Sequence, residues 1–210
     1  IVSSANRYRV FYGGPNGHLW SSAWDGGPFW CAPTDLGAVK LKSAPSALAL
    51  GSDTFWVFYR GPNNHLWLSI KNPGDWWRAP VDLGGVELRS APSAVAVKGE
   101  INHVGVFYFG KNRHLTMSVW DGGPWWSEPV DLGGGQGKGN PSAISHADHQ
   151  IDVFYASNSF ELSQSQWIGG PWWSAVYGRG VTAKYGVAAV SSTEVFVRDA
   201  QRRWILVGAP

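Results

Sequence analysis

Val57-Phe58-Tyr59-Arg60-Gly61-Pro62-Asn63-Asn64-His65-Leu66-Trp67 is one copy of a stretch that the chain repeats along its length. Upstream it reads Val10-Phe11-Tyr12-Gly13-Gly14-Pro15-Asn16-Gly17-His18-Leu19-Trp20. Downstream, Val106-Phe107-Tyr108 leads to His114-Leu115, and Val153-Phe154-Tyr155 leads to Glu161-Leu162. A worn fifth copy, Val195-Phe196-Val197-Arg198, leads to Trp204. The starts lie 47, 49, 47 and 42 residues apart. A period in this range marks an array of supersecondary units, each too small to bury its apolar surface alone.

Each unit divides into four short strands. In the second unit, small residues from Pro45 to Leu50 form a first strand, and Gly51-Ser52-Asp53 turns the chain. Phe55 to Tyr59, aromatic and β-branched, is a second strand. Gly61-Pro62-Asn63-Asn64 is a turn, and His65 to Ile70 is the third strand. Asn72-Pro73-Gly74-Asp75 turns again, and the fourth strand is expected from Trp76-Trp77 to near Pro80. No segment carries a sustained 3.6-residue period, so helix is not expected. Four short strands at this period match a β-propeller blade. The small residues of the first strand suit the tight centre of such a ring, and the Trp pairs suit its rim. The expected fold is all-β, a five-bladed β-propeller of four-stranded antiparallel blades. The blades span approximately 1–42, 43–89, 90–138, 139–182 and 183–210. The fifth lacks a Trp-Trp segment before Ile205-Leu206-Val207-Gly208-Ala209-Pro210, so it has three strands or the chain is part of a larger ring.

Composition narrows the function. Charges are mixed and the net charge is +2 without a basic run, which argues against a nucleic-acid partner. No apolar run is long enough for membrane insertion by a helix, and there is no signal-peptide pattern. The single cysteine, Cys31, excludes an internal disulfide framework and leaves the compartment open between secreted and cytoplasmic. The first residue is Ile1 rather than Met, as in a processed, incomplete or chemically sequenced chain. Fourteen Trp residues supply flat apolar faces with a polar edge, suited to a core or to a ligand platform.

The candidate site follows from alternation along the third strand. One face carries Leu19, Leu66, Leu115 and Leu162 and is expected in the core. The other carries His18, Trp20, Ser22 and Trp24, then His65, Trp67, Ser69 and Lys71, then His114, Thr116, Ser118 and Trp120, then Glu161, Ser163, Ser165 and Trp167. Further along, Trp30, Trp77, Trp126 and Trp173 share one repeat position; Phe29, Trp76, Trp125 and Trp172 share the position before it. Asp25 and Asp121 follow Trp24 and Trp120 in matching Trp-Asp-Gly-Gly turns. A sugar offers a C–H face that stacks on indole and hydroxyls that need short fixed partners. The repeated aromatic and polar columns therefore read as sugar sites between blades. They read equally as packing layers between blades, with the Asp residues capping turns. His18, His65 and His114 lie one per blade with no carboxylate or cysteine at ligand spacing, so no metal is expected. His146, Asp148, His149 and Asp152 cluster once, around a turn, and are expected to be solvated. Cys31 shares its position with Arg78, Ser127 and Ser174 and is expected to be exposed.

The repeat of Val57 to Trp67, followed by Trp77, Asp82-Leu83-Gly84-Gly85 and Ser90-Ala91-Pro92-Ser93-Ala94, resembles the tandem-repeat β-propeller lectins, in particular the bacterial lectins that bind fucose. Arg9-Val10-Phe11-Tyr12 and Trp24-Asp25-Gly26 are similar to the repeat of the fungal fucose lectins. The resemblance implies several sugar sites between blades and no catalysis. It also implies a sugar-clamping Arg at Arg9, where the other repeats have Trp56, Gly105, Asp152 and Glu194. The clamp's Glu position is held by Ser21, Met117 and Gln164.

The expected function is multivalent glycan recognition without a cofactor. The partners are glycans or glycoproteins carrying fucose or another monosaccharide; a homo-oligomer is compatible with the sequence. An enzyme needs one asymmetric constellation, whereas this chain repeats near-equivalent groups. A protein-interaction scaffold and a glycan-acting hydrolase or lyase are the alternatives.

Overall fold

The computed structural model describes residues 1–4, 7–37, 39–100, 103–133, 135–171, 173–176, 180–191 and 194–208. Trp172, Ala209 and Pro210 lie outside the described residues. Among the described residues there is no helix, and none therefore that is long and apolar enough to cross a membrane. The strands form antiparallel sheets in chain order. The first sheet is β1 (Val2–Ser4), β2 (Arg7–Gly13), β3 (Leu19–Trp24) and β4 (Thr34–Asp35). The second is β5 (Ser46–Gly51), β6 (Thr54–Arg60), β7 (Leu66–Lys71) and β8 (Val81–Asp82). The third is β9 (Ser93–Ala96), β10 (Val104–Phe109), β11 (Leu115–Trp120) and β12 (Val130–Asp131). The fourth is β13 (Gly137–Ile144), β14 (Ile151–Ser157), β15 (Leu162–Trp167) and β16 (Ser174–Val176). The fifth has three strands, β17 (Gly186–Ala189), β18 (Glu194–Arg198) and β19 (Trp204–Gly208).

The hairpins between second and third strands are in identical register. Phe11 pairs with Ser21, Phe58 with Leu68, Phe107 with Met117, Phe154 with Gln164 and Phe196 with Leu206. One residue in each turn takes a left-handed conformation: Gly17, Asn64, Arg113, Phe160 and Arg202, with φ between 64° and 79°. Gly fits this without strain, and Asn tolerates it. Arg113, Phe160 and Arg202 adopt it at a cost, which the hydrogen bonds closing each turn offset.

The fourth strands differ from expectation. The Trp pairs are not in them: Thr34–Asp35, Val81–Asp82 and Val130–Asp131 lie past the Trp residues, and each is two residues long. The cause is proline. Cys31, Arg78 and Ser127 each donate one backbone hydrogen bond to the third strand, at Ala23, Ile70 and Val119. Pro33, Pro80 and Pro129 follow two residues later and have no N–H to continue the ladder. In the fourth sheet Val176 takes the proline's place, and pairing there runs unbroken from Ser174 to Val176.

The chain divides into two compact units, Ile1–Pro92 and Ser93–Pro210. In the first, Phe11 and Leu19 of the first sheet pack with Phe55, Val57 and Tyr59 of the second. In the other unit, Phe107, Phe109 and Leu115 pack with Ile151, Val153 and Tyr155. Phe154, Ala156 and Leu162 then pack with Val195 and Val197. A sheet therefore uses both of its faces. Alternate residues of the Val-Phe-Tyr strand point to opposite sides, Phe towards the following sheet and Val and Tyr towards the preceding one. The Leu column is buried throughout, at 3%, 1%, 0% and 1% exposure. In the fifth sheet the matching row, Phe196, Trp204 and Leu206, is exposed.

A close approach fixes each hairpin. An added Cβ on Gly61 would fall inside the Trp67 ring, and one on Gly14 inside the Trp20 ring. Gly61→Ala is expected to destabilise the protein by about 1–3 kcal/mol in urea denaturation, by overpacking. Gly13→Ala, where nothing lies within 4 Å, is expected to change stability by less than about 0.5 kcal/mol.

Candidate functional site

The His and Trp columns are tied into a hydrogen-bond network that the first two sheets share. Asn16 is its hub. Its Oδ1 accepts from Trp20 Nε1 at 2.9 Å and from the His18 backbone N–H at 3.1 Å. Its Nδ2 donates to Asp35 Oδ2 at 2.7 Å. His18 Nδ1 lies 3.0 Å from the same carboxylate oxygen. His18 Nδ1 also lies 2.9 Å from Asn16 Nδ2; in its Nδ1–H tautomer it donates to Asp35, and in the other it accepts from Asn16. The Gly37 N–H donates to Asp35 Oδ1 at 3.1 Å. Asn63, His65, Trp67, Asp82 and Gly84 repeat this arrangement. Asn112, His114, Asp131 and Gly133 repeat it with Thr116 in place of the Trp.

These bonds fasten the third strand to the two-residue fourth strand. They also correct the expectation that no carboxylate accompanies the histidines. Asp35, Asp82 and Asp131 do so, from strands whose position the Trp pairs had masked. Among the described residues no three metal-ligating side chains converge.

The other polar positions of the column have internal partners too. Ser69 and Ser118 bond the hydroxyls of buried Tyr59 and Tyr108, at 3.1 and 2.9 Å. Burial pushes both phenols up, partly offset by the serine bonds. Trp24, Trp120 and Trp167 each donate Nε1 to a turn carbonyl, at Gly27, Gly123 and Gly170, all 2.7 Å. Asp121 caps its turn through the Gly123 N–H. Cys31 is exposed, as expected. Asp152 is not solvated. It is fully buried on β14, accepts from Gln164 and Gln166, and lies 3.0 Å from His146 Nδ1, misaligned for a hydrogen bond.

Two open clefts lie between consecutive sheets. In the first unit a cleft of about 270 Å³ is lined by Arg9, Ser21, Ala23 and Asp25 of one sheet and Lys71, Trp76 and Trp77 of the next. In the second unit a cleft of about 330 Å³ is lined by Gly105, Met117 and Val119 of one sheet and Ile151, Trp167 and Trp173 of the next. The two are equivalent. Arg9 and Gly105 precede the repeat's first Val; Ser21 and Met117, Ala23 and Val119, Lys71 and Trp167, and Trp77 and Trp173 each occupy one repeat position. In both, the Trp stands edge-on against the preceding sheet's Phe: Trp77 on Phe11 at 5.5 Å and Trp173 on Phe107 at 5.4 Å.

The structure therefore brings Asp25 and Trp77 to one cleft and Trp167 and Trp173 to the other. His18, Trp20, His65, Trp67 and His114 are not among the lining residues. Trp30 is half exposed and Trp126 is partly buried, neither lining these clefts. Lys71, Trp76 and Met117 line a cleft although the sequence placed them in repeat columns without singling them out as sugar-binding. Their signal was present in the repeat columns, but only the packing of neighbouring sheets shows which columns meet.

The comparisons with known proteins agree with this architecture. No family model matches the chain, and no curated protein does. Solved structures match. The BP39L lectin of Burkholderia pseudomallei is 21% identical over 98% of this chain and 64% of its own, with a TM-score of 0.83. The SapL1 lectin, solved with α-methyl fucoside, is 20% identical over 99% of this chain and 78% of its own, with a TM-score of 0.75. The six-bladed propeller lectin of Aleuria aurantia is 20% identical over 85% of this chain and 59% of its own, with a TM-score of 0.65. The chain has a β-propeller fold. Its sheets are propeller blades, and the two clefts lie between consecutive blades. The chain spans under two thirds of the length of the Burkholderia and Aleuria lectins.

The repeated Asp makes a prediction. Partial burial raises the Asp82 and Asp131 carboxyls, and the Gly N–H, Asn and His donors overcome it, so both end below the ordinary carboxylate value. At Asp35 the Gly37 N–H is the largest cause of a similar lowering. A lowered native pKa stabilises the fold fully above about pH 4 and is lost as pH falls through the native value. Thermal midpoints are expected to drop below about pH 4. Asp82→Asn is expected to cost about 1–2 kcal/mol at pH 7 and to flatten that acid limb.

Proposed function

We propose that this protein is a lectin that binds a monosaccharide unit in each cleft between consecutive blades, without catalysis. The observation that carries the reading is the recurrence of one cleft in both units, at equivalent strand positions, with an indole supplied by the following blade. A sugar's C–H face stacks on Trp77 or Trp173, and its hydroxyls meet the polar side chains and backbone groups of the preceding blade. Volumes of about 270 and 330 Å³ suit one sugar ring rather than an enclosed oligosaccharide. The fold neighbours support the reading. BP39L is a lectin, SapL1 was solved with a fucoside, and the Aleuria protein is described by its fucose recognition.

The proposed architecture is five blades with the boundaries given above. The proposed partners are glycans or glycoproteins on surfaces. Several weak sites on one scaffold would raise avidity roughly 10²–10⁴-fold over a single site. The lining differs between clefts, with Arg9 in one and Gly105 in the other, so the sites are not expected to share one specificity or to hold fucose by a common Arg clamp.

Glycan-array binding tests the proposal, and a protein that binds no glycan at high micromolar concentration overturns it. Trp77→Phe and Trp173→Phe keep an aromatic ring against Phe11 and Phe107 but shrink the stacking surface. Each is expected to weaken its own site by about three- to tenfold, read by Trp fluorescence titration or calorimetry.

A further inference from the structure

The first-unit cleft contains one cation that the protein does not neutralise. Arg7 faces Asp25 at 3.9 Å, and Lys71 is paired with Asp53. Among the described residues Arg9 has neither a hydrogen bond nor an ion pair. It is held by its guanidinium carbon lying 5.1 Å from the centre of the Phe55 ring on the following blade. A cation–π contact holds the guanidinium near the ring without using its N–H donors. Arg9 also lines a smaller adjoining cleft with Arg7, Asp25, Asp53 and Phe55, where the two carboxylates face Arg7 and Lys71 rather than Arg9. It thus stands where two cavities of the first unit meet.

The second-unit cleft has the opposite character. Its position equivalent to Arg9 is Gly105, its walls are Val97, Met117, Val119 and Ile151, and its charged group is Glu100. Glu100 is engaged by His149 at 2.6 Å and by His103 at 3.4 Å.

Building on the lectin reading, we propose that the cleft beside Arg9 selects acidic saccharides, those carrying a carboxylate such as a uronic acid. The carboxylate accepts two parallel hydrogen bonds from the Arg9 fork, while the sugar ring lies against Trp77. A neutral sugar satisfies fewer of the five N–H donors and leaves the charge uncompensated in a half-enclosed site. The second-unit cleft has no arginine or lysine in its lining; its one basic ring, His103, already lies 3.4 Å from Glu100.

Calorimetry with methyl glucuronide and methyl glucoside tests this. The glucuronide is expected to bind at least about tenfold tighter, at one site per chain. Its advantage is expected to shrink between 50 and 500 mM NaCl through screening. Arg9→Gln, which also loses the Phe55 contact, is expected to abolish the preference while lowering the melting temperature by no more than about 3 °C. Arg9→Lys, which keeps the charge but not the planar fork, is expected to retain part of it. Equal affinities, or a preference that survives Arg9→Gln, overturn the proposal and leave the lectin reading standing. If neither glycoside binds but other neutral sugars do, the acidic class alone is wrong. If no sugar binds at all, both readings fall together.

Discussion

A blade in this protein is apolar on both faces. Phe and Leu point one way from the central hairpin, and Val and Tyr point the other. An antiparallel sheet in water can leave one face solvated, as the fifth sheet does with its Phe196 row. Within each unit the other apolar faces lie against a sheet of the same kind, and the Phe row of one fills the Val–Tyr row of the next. Phe11 against Phe55, Val57 and Tyr59, Phe107 against Ile151, Val153 and Tyr155, and Phe154 against Val195 and Val197 are three instances of one joint. The repeat in the sequence is the linear record of this packing.

The joint also explains where cavities occur. Near the Phe row, packing is tight. Beyond it, at Ser21 and Ala23 in one unit and Met117 and Val119 in the other, a cleft opens that the following blade's Trp walls, standing edge-on to the Phe. Trp77 and Trp173 are thus both part of the joint and the wall of a cleft. In both clefts the same Trp serves joint and wall, and the chemistry of the lining differs between them while that frame stays the same. Arg9, Ser21 and Ala23 in one cleft, and Gly105, Met117 and Val119 in the other, are variations on an unchanged frame.

The polar residues of the histidine column have a structural role in their own blade. Asn16, His18 and Asp35, with their counterparts in the next two blades, hold a fourth strand that proline has cut to two residues. With so few ladder bonds, the outer strand depends on side chains for its attachment. Charge-assisted bonds to an aspartate are stronger than neutral ones, which suits that task. The side-chain periodicity that exposed these columns in the sequence is the same whether a column faces a ligand or its own blade, so the pattern alone could not separate the two.

Period, strand order, hairpin register and the buried Leu column were all legible in the sequence, because each is a local consequence of alternation and turn chemistry within one repeat. Sequence also showed that Trp77 and Trp173 share a position. Tertiary structure decided what those Trp residues face, that the histidines are bound to aspartates 17 residues later, and that Arg9 alone in its cleft has no partner carboxylate. The physical reason is distance along the chain. Residues that line one cleft come from two successive repeats, 68 positions apart at Arg9 and Trp77, and only the packing of one sheet on the next brings them together.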